Sequence, residues 1–225
     1  MRLIGVHVLS DENSSASCTA KLTIDDNVTD LTEVIYDGDS TPYLTEKSGV
    51  SPRFGSVLGE EEVIFTGQFL TGSATVLIDN RPCAVTEKTD TMIKCTTEDK
   101  PYVPGEPTLV INIEGAGNVA TRSQVYRYVS RWSDKETWGM DIPPLEGEAV
   151  TIPSGQHLLV DVAVVPKLEF VLVYGSLIFE SNDNDHSDHK TFDAGYIMVQ
   201  GGYMEIGTEE YPYNSKLTIT MHGNK

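Results

Sequence analysis

An all-β protein is what this sequence predicts, and three observations carry the prediction. Apolar and polar residues alternate in Ala74-Thr75-Val76-Leu77-Ile78, and β-branched runs stand at Val63-Ile64-Phe65-Thr66 and Leu109-Val110-Ile111-Asn112-Ile113. Turn chemistry separates the runs at Asp37-Gly38, Asp79-Asn80-Arg81-Pro82, Pro104-Gly105 and Gly115-Ala116-Gly117-Asn118. No window of about 12 residues carries a sustained helical stripe. The expected architecture is a β-sandwich followed by the first coils of a β-helix.

The elements follow in chain order. Residues 1–49 are polar, with three basic against nine acidic residues. Met1 to Leu9 is apolar only in places, includes His7 and meets Ser10-Asp11-Glu12 at once. A secretory signal needs an apolar core of about 7–15 residues, so this start reads as a first strand or as the beginning of a truncated product. Residues 50–129 hold about six or seven candidate strands, the size and pattern of a sandwich. Residues 130–225 contain nine glycines and a weak repeat. Gly155 precedes Gln156-His157-Leu158-Leu159-Val160, Gly175 precedes Ser176-Leu177-Ile178-Phe179, and Gly202 precedes Tyr203-Met204-Glu205-Ile206. Gly223 follows Leu217-Thr218-Ile219-Thr220-Met221, and these glycines are 20, 27 and 21 residues apart. That period suits stacked β-helix coils, with each corner glycine taking positive φ. The alternative is an antiparallel sandwich with hairpin glycines. On the β-helix reading the last coil is uncapped at Lys225, so the chain is expected to be a fragment.

Charge excludes several partners. The 225 residues carry 16 Lys+Arg and 34 Asp+Glu, a formal net charge of −18. The three segments carry −6, −3 and −9, so averaging hides no basic face. Such a chain repels phosphate backbones and anionic lipid, which argues against nucleic-acid or membrane-surface binding. No apolar run approaches the roughly 20 residues needed to span a bilayer. With 39% hydrophobic residues there is enough to bury a core.

Three cysteines are present, Cys18, Cys83 and Cys95. Cys83 and Cys95 stand at opposite ends of an expected hairpin turning at Glu87-Lys88-Thr89-Asp90, where a cross-strand disulfide would close a short loop; two reduced, buried thiols are the alternative. Neither has a Cys or His partner at zinc-ligand spacing. Cys18 is left over, which points to a lost partner or an intermolecular bond. The sequons Asn13-Ser14-Ser15 and Asn27-Val28-Thr29 make Asn13 and Asn27 the expected glycosylation sites of a secreted chain.

Residues 50–129 resemble an IPT/TIG domain, the immunoglobulin-like module of plexins and some transcription factors. The residues that carry the resemblance are Val50-Ser51-Pro52-Arg53-Phe54-Gly55-Ser56, Val63-Ile64-Phe65-Thr66-Gly67-Gln68-Phe69, Arg81-Pro82-Cys83 and Cys95-Thr96-Thr97. The family more often has paired glycines where this chain has Gly59-Glu60-Glu61. Residues 130–225 resemble the G-eight domain, named for its eight glycines. That match runs from Arg131-Trp132-Ser133-Asp134 and Thr137-Trp138-Gly139 through Pro143-Pro144, Gly147, Val150-Thr151-Ile152-Pro153 and Leu159-Val160-Asp161. It continues through Leu177-Ile178-Phe179, Tyr196-Ile197-Met198-Val199-Gln200-Gly201-Gly202, Ile206-Gly207-Thr208-Glu209-Glu210 and Leu217-Thr218-Ile219-Thr220-Met221-His222-Gly223. The tandem is similar to the ectodomain of fibrocystin-type proteins, large surface receptors with many IPT repeats. Ser40-Thr41-Pro42-Tyr43-Leu44-Thr45 resembles the join between such repeats, so residues 1–49 are expected to be the tail of a preceding one.

Candidate sites are few. Asp183-Asn184-Asp185-His186-Ser187-Asp188-His189 is the most chemically loaded stretch. Asp183 and Asp185 could offer oxygen to calcium, and His186 and His189 nitrogen to zinc, but the EF-hand glycine and closing Glu are missing. A solvated loop between coils is the plainer reading, and no metal or other cofactor is expected. Trp132 and Trp138 could stack on a sugar, or pack as anchors at the interdomain joint. Asp134 and Asp161 could serve as acid and base, while Ser133-Asp134 equally reads as a capped turn with Asp134 bonding backbone amides. Glu205, Glu209 and Glu210 read as a solvated acidic edge. Tyr126 and Tyr128 fall on one side of a strand, as core or joint residues. Gly115-Ala116-Gly117 is too short for a phosphate cradle. No catalytic triad or Cys-His pair assembles.

The expected function is a non-enzymatic spacer and interaction segment of a large cell-surface receptor, with an extracellular protein or glycan as partner. The resemblance implies that the membrane anchor lies outside this stretch and that the cilium is one location. The rival is a glycan-binding or glycan-processing module, because hyaluronan-degrading surface proteins share the G-eight domain. The acidic surface counts against an anionic glycan.

Overall fold

A computed structural model describes residues 16–24, 27–36, 41–100, 107–122, 124–181 and 188–223. The first two strands, β1 (Ala16–Ile24) and β2 (Asn27–Tyr36), pair antiparallel as a hairpin of their own, with Cys18 opposite Val34. Asn27 opens β2, while Asn13 lies outside the described residues.

The sandwich comes next. Its strands are β3 (Tyr43–Leu44), β4 (Val50–Ser51), β5 (Phe54–Ser56), β6 (Glu62–Gln68), β7 (Ala74–Ile78), β8 (Arg81–Lys88), β9 (Met92–Thr97), β10 (Leu109–Ile113) and β11 (Gly117–Asn118). Hydrogen bonding runs in the order β11-β10-β7-β8-β9-β6-β3, with β4 also on β6. A bridge from Tyr43 to Ala120 brings the two ends of this path together. Inward positions alternate along each strand. Val63, Phe65, Val76, Ile78, Ile93, Ile111 and Ile113 meet in one core, joined by Leu44 from the stretch before residue 50. The turn from β7 to β8 is shorter than the four residues expected. Asp79 and Asn80 take φ of 50° and 62°, the two left-handed positions of a tight hairpin, and Arg81 and Pro82 already lie in the strand. The Asp79 carboxylate accepts from Thr108 N and from Lys100 Nζ, each at 2.6 Å, which pins the start of β10. β8 runs through Lys88, so the next turn falls at 89–91, later than the expected one beginning at Glu87.

The remaining strands wind as a β-helix. They are β12 (Arg127–Arg131), β13 (Ala149–Ile152), β14 (His157–Leu159), β15 (Val164–Val173), β16 (Ser176–Phe179), β17 (His189–Val199), β18 (Tyr203–Ile206) and β19 (Lys216–Met221). Successive strands alternate between two parallel sheets, β13-β15-β17-β19 and β5-β12-β14-β16-β18. Parallel pairing excludes the hairpin alternative. Inward residues stack from coil to coil: Val150 on Val171, Ile152 on Val173, Leu158 on Leu177, and Val165 on Phe192. Trp132 closes this core edge-on to Trp138 at 4.9 Å and to Phe192 at 6.0 Å.

The glycine repeat needs correcting in two respects. Gly155 has φ 81°, as expected for a corner. Gly175 and Gly202 matter for a different reason. A Cβ on Gly175 would lie 2.2 Å from Gln156 O, and one on Gly202 would lie 2.1 Å from Gly175 O, so each lets its coil approach the one before. Gly223 is not a corner of the same series. β19 pairs with β17 as His189 with Lys216, a step of 27 residues rather than the 21 read from the glycines.

Candidate functional site

The most built-up polar region is the joint between the sandwich and the β-helix. β12 changes neighbour along its length. Arg127, Tyr128 and Val129 pair with Phe54, Gly55 and Ser56 of β5, and then Ser130 and Arg131 pair with Leu158 and Leu159 of β14. One parallel sheet therefore passes from the sandwich into the coils. Phe54, Val129, Leu159 and Ile178 form a small buried cluster across it.

Three arginines fasten the joint. Arg127 Nη1 meets Glu205 Oε2 at 2.7 Å, with both side chains largely shielded from water. Arg131 Nη2 meets Glu61 Oε1 at 2.6 Å, and the other oxygen of Glu61 accepts from Ser56 N. Arg53 lies 3.8 Å from the centre of the Tyr211 ring and 3.8 Å from Glu180. The Tyr211 hydroxyl donates to Gln124 Oε1. Glu205 is therefore not part of a solvated acidic edge, as its sequence position suggested; it is the counter-ion of Arg127. Beside these contacts opens a cleft of about 600 Å³ whose walls include Lys47, Arg53, Asp161, Glu180, Asp188 and Lys190. Its charges are largely spoken for: Lys190 Nζ sits 2.6 Å from Asp188, and Arg53 near Glu180.

The other candidates separate from one another. Asp183, Asp185 and His186 lie outside the described residues. His189 Nε2 is 2.9 Å from Thr218 Oγ1, one coil away. Among the described residues no group of three His, Cys, Asp or Glu side chains could hold a metal. Trp132 is core, and the partly buried Trp138 packs edge-on against it and donates from Nε1 to Trp132 O at 2.8 Å, as expected of packing anchors. Tyr126 and Tyr128 are buried edge-to-face at 5.2 Å. Burial pushes the Tyr126 phenol well above the usual range and Tyr128 up to about 12.

Asp134 and Asp161 lie close enough to feel each other. Asp161 accepts from both Ser133 N and Ser133 Oγ, which fixes the turn. The Asp134 side chain makes no cap bond to the short 3-10 helix Lys135–Trp138, so the capping expected of it is not formed, and the side-chain bonds at this turn are those from Ser133 to Asp161. Burial raises the Asp134 carboxyl above its ordinary value, with Arg131 opposing and Asp161 adding to the shift. Cys83 and Cys95 are bridged, with Cα atoms 5.5 Å apart, inside the sandwich core.

Sequence reasoning missed the joint because its partners are far apart in the chain: Arg127 and Glu205 by 78 residues, Gln124 and Tyr211 by 87. A single arginine, Arg127, between the two buried tyrosines Tyr126 and Tyr128 was the visible signal, but nothing in the spacing names its carboxylate.

Comparison with known proteins agrees with this two-part architecture. A family model described as the IPT/TIG domain matches residues 47–128, and one described as the G8 domain matches residues 137–225. Human Fibrocystin-L is 31% identical over 198 residues, which is 86% of this chain and 4% of that protein. Fibrocystin of the dog, Canis lupus familiaris, is 26% identical over 222 residues, which is 96% of this chain and 5% of that protein. The chain thus spans about one-twentieth or less of the length of these relatives. The extracellular region of Plexin A4 aligns with 54% of the chain at 18% identity and a TM-score of 0.35.

Proposed function

The chain carries an IPT/TIG domain followed by a G-eight domain and resembles a segment of the fibrocystin-type proteins; on that footing we propose that it is a non-enzymatic spacer and interaction segment of a cell-surface receptor ectodomain. The observation that carries this reading is the shared sheet. Because β5 of the sandwich is hydrogen-bonded to β12 and β12 to β14, the two domains hold a fixed relation. Three arginine contacts reinforce that relation instead of leaving a free hinge. A buried cross-strand disulfide suits an oxidising, extracellular setting. No helix among the described residues is long and apolar enough to cross a membrane, so this reading takes the anchor from elsewhere in the parent protein. The expected partner is an extracellular protein or glycan, met on exposed strand faces.

Two measurements test it. Nitrogen-15 relaxation should give one rotational correlation time for both domains, and two distinct values would reject the spacer. Antibodies against this segment should stain intact, unpermeabilised cells that make the full protein; staining only after permeabilisation would reject the surface location.

A further inference from the structure

The outer face of the β13-β15-β17-β19 sheet holds an aromatic pair that the domain cores do not use. Phe170 of β15 pairs in register with Tyr196 of β17, and their rings stack at 5.6 Å with planes 3° apart. Tyr196 is 52% exposed. Small residues flank this stack. On one side the partner of Phe170 is Ala149 of β13. On the other, the β17–β19 pairing runs to Ala194 with Met221, completed by the bond from His222 N to Ala194 O, and Gly223 just beyond it lines the same groove as Tyr196. A Cβ on Gly223 would meet nothing within 4 Å. The ladder reads Ala, Phe, Tyr across β13, β15 and β17, and Gly223 brings no side chain to the groove beside it. A groove of about 740 Å³ runs along it, lined by Phe170 and Tyr196 with Glu146, Lys167, Glu169 and His222 among the polar groups at its sides.

We propose that this groove is a subsite for a neutral pyranose ring of a glycan, stacked on the exposed Tyr196 ring in the space beside Gly223. A pyranose has the shape and chemistry the slot asks for. One of its faces is made of C–H bonds that pack on the electron-rich face of an aromatic ring, and its edge is hydroxyl. Glu146 and Glu169 accept hydrogen bonds from hydroxyls, and Lys167 donates to them. A mostly apolar floor with a few polar groups around it is the usual make-up of a small-ligand site. The charge selects against uronic acids and sulfated sugars: two carboxylates face one lysine at the groove, and residues 130–225 carry −9. The ligand would add to the spacer reading without depending on it, because a rigid joint and an occupied groove are separate properties of the molecule.

The test is binding of the 225-residue chain to a printed panel of neutral hexose and N-acetylhexosamine oligosaccharides, with hyaluronan and heparan sulfate oligosaccharides as the anionic members. Neutral members should be bound and anionic ones not. Tyr196→Ala removes the platform, and Gly223→Phe fills the open space at the groove without touching the core. Each should weaken neutral binding by about 10-fold or more. Tyr203→Ala, an exposed aromatic change on the other sheet, should bind as the unchanged chain does. The proposal is overturned if no neutral saccharide binds, if the anionic members bind in preference, or if Tyr196→Ala and Gly223→Phe both bind like the unchanged chain.

Discussion

Cys83 and Cys95 are not directly opposed in the sheet. Cys83 faces Thr97 and Cys95 faces Val85, so the bridge crosses β8 and β9 on the diagonal, next to the register shift between Val85 and Glu87. Its sequence separation is 12 residues, and closing so short a loop in the unfolded chain is worth about 3 kcal/mol on the chain-entropy model. Cys83→Ala/Cys95→Ala should lose about that much in denaturant unfolding, and reducing the natural chain should produce the same shift. An unchanged midpoint under reduction would mean the bridge is not formed. Tyr128 makes a second prediction. Its phenol is buried, donates to Glu98 O at 3.2 Å, and is held up to about 12 by that burial. The folded state therefore keeps a proton that the unfolded chain releases near pH 10. This contribution to stability is whole below pH 10 and is lost as pH rises from about 10 to about 12. Melting temperature should fall over that window, and Tyr128→Phe should flatten the fall; equal slopes in both proteins would remove Tyr128 as the cause.

The coils are held together by close backbone contact as much as by side chains. Gly202 sits where a Cβ would press into the carbonyl of Gly175 at 2.1 Å and the backbone of Tyr174 at 2.7 Å, and backbone atoms cannot rotate aside. Gly147 offers the contrast: it has φ 82° but open space around it. Gly147→Ala should cost about 1 kcal/mol, the strain of a left-handed alanine. Gly202→Ala should cost more, about 3 kcal/mol, because two coils must part. Thermal melts of the two variants check the order, and a reversal would mean that φ rather than contact sets the requirement. The same pair explains what the sequence made legible. Alternation in Ala74 to Ile78, the cysteine spacing and the glycine series each report a local or repeating constraint, so strands, hairpin and winding could be read directly. What Gly202 approaches is a coil 27 residues back, and a sequence shows the repeat without showing the contact. Phe170 and Tyr196, 26 residues apart, were hidden in the same way, while of the two tryptophans that drew attention Trp132 is core and Trp138 packs against it.

The two domains share one parallel sheet at their boundary. The sandwich lends β5 to the sheet that covers one side of the coils, and Leu159 and Ile178 are buried in one cluster with Phe54 and Val129. Burying each of these side chains is worth about 1.5–3 kcal/mol, and a chain beginning at Trp132 would forfeit most of that and leave the outer edge of β14 unpaired. The ion pairs act in the same place. Removing Arg127 would leave Glu205, whose side chain is 10% exposed, without its counter-ion, at a cost of about 2–3 kcal/mol for a partly shielded pair. The expected calorimetry is a single transition for residues 41–225, shifted down as a whole by Arg127→Met. Residues 132–225 alone should show no cooperative transition at the same temperature. If Arg127→Met instead splits the melt in two, the joint is the weak point of the molecule, and the sandwich and β-helix fold independently. If residues 132–225 melt as they do in the longer chain, the shared sheet contributes no stability and the fixed relation between the domains loses its physical basis.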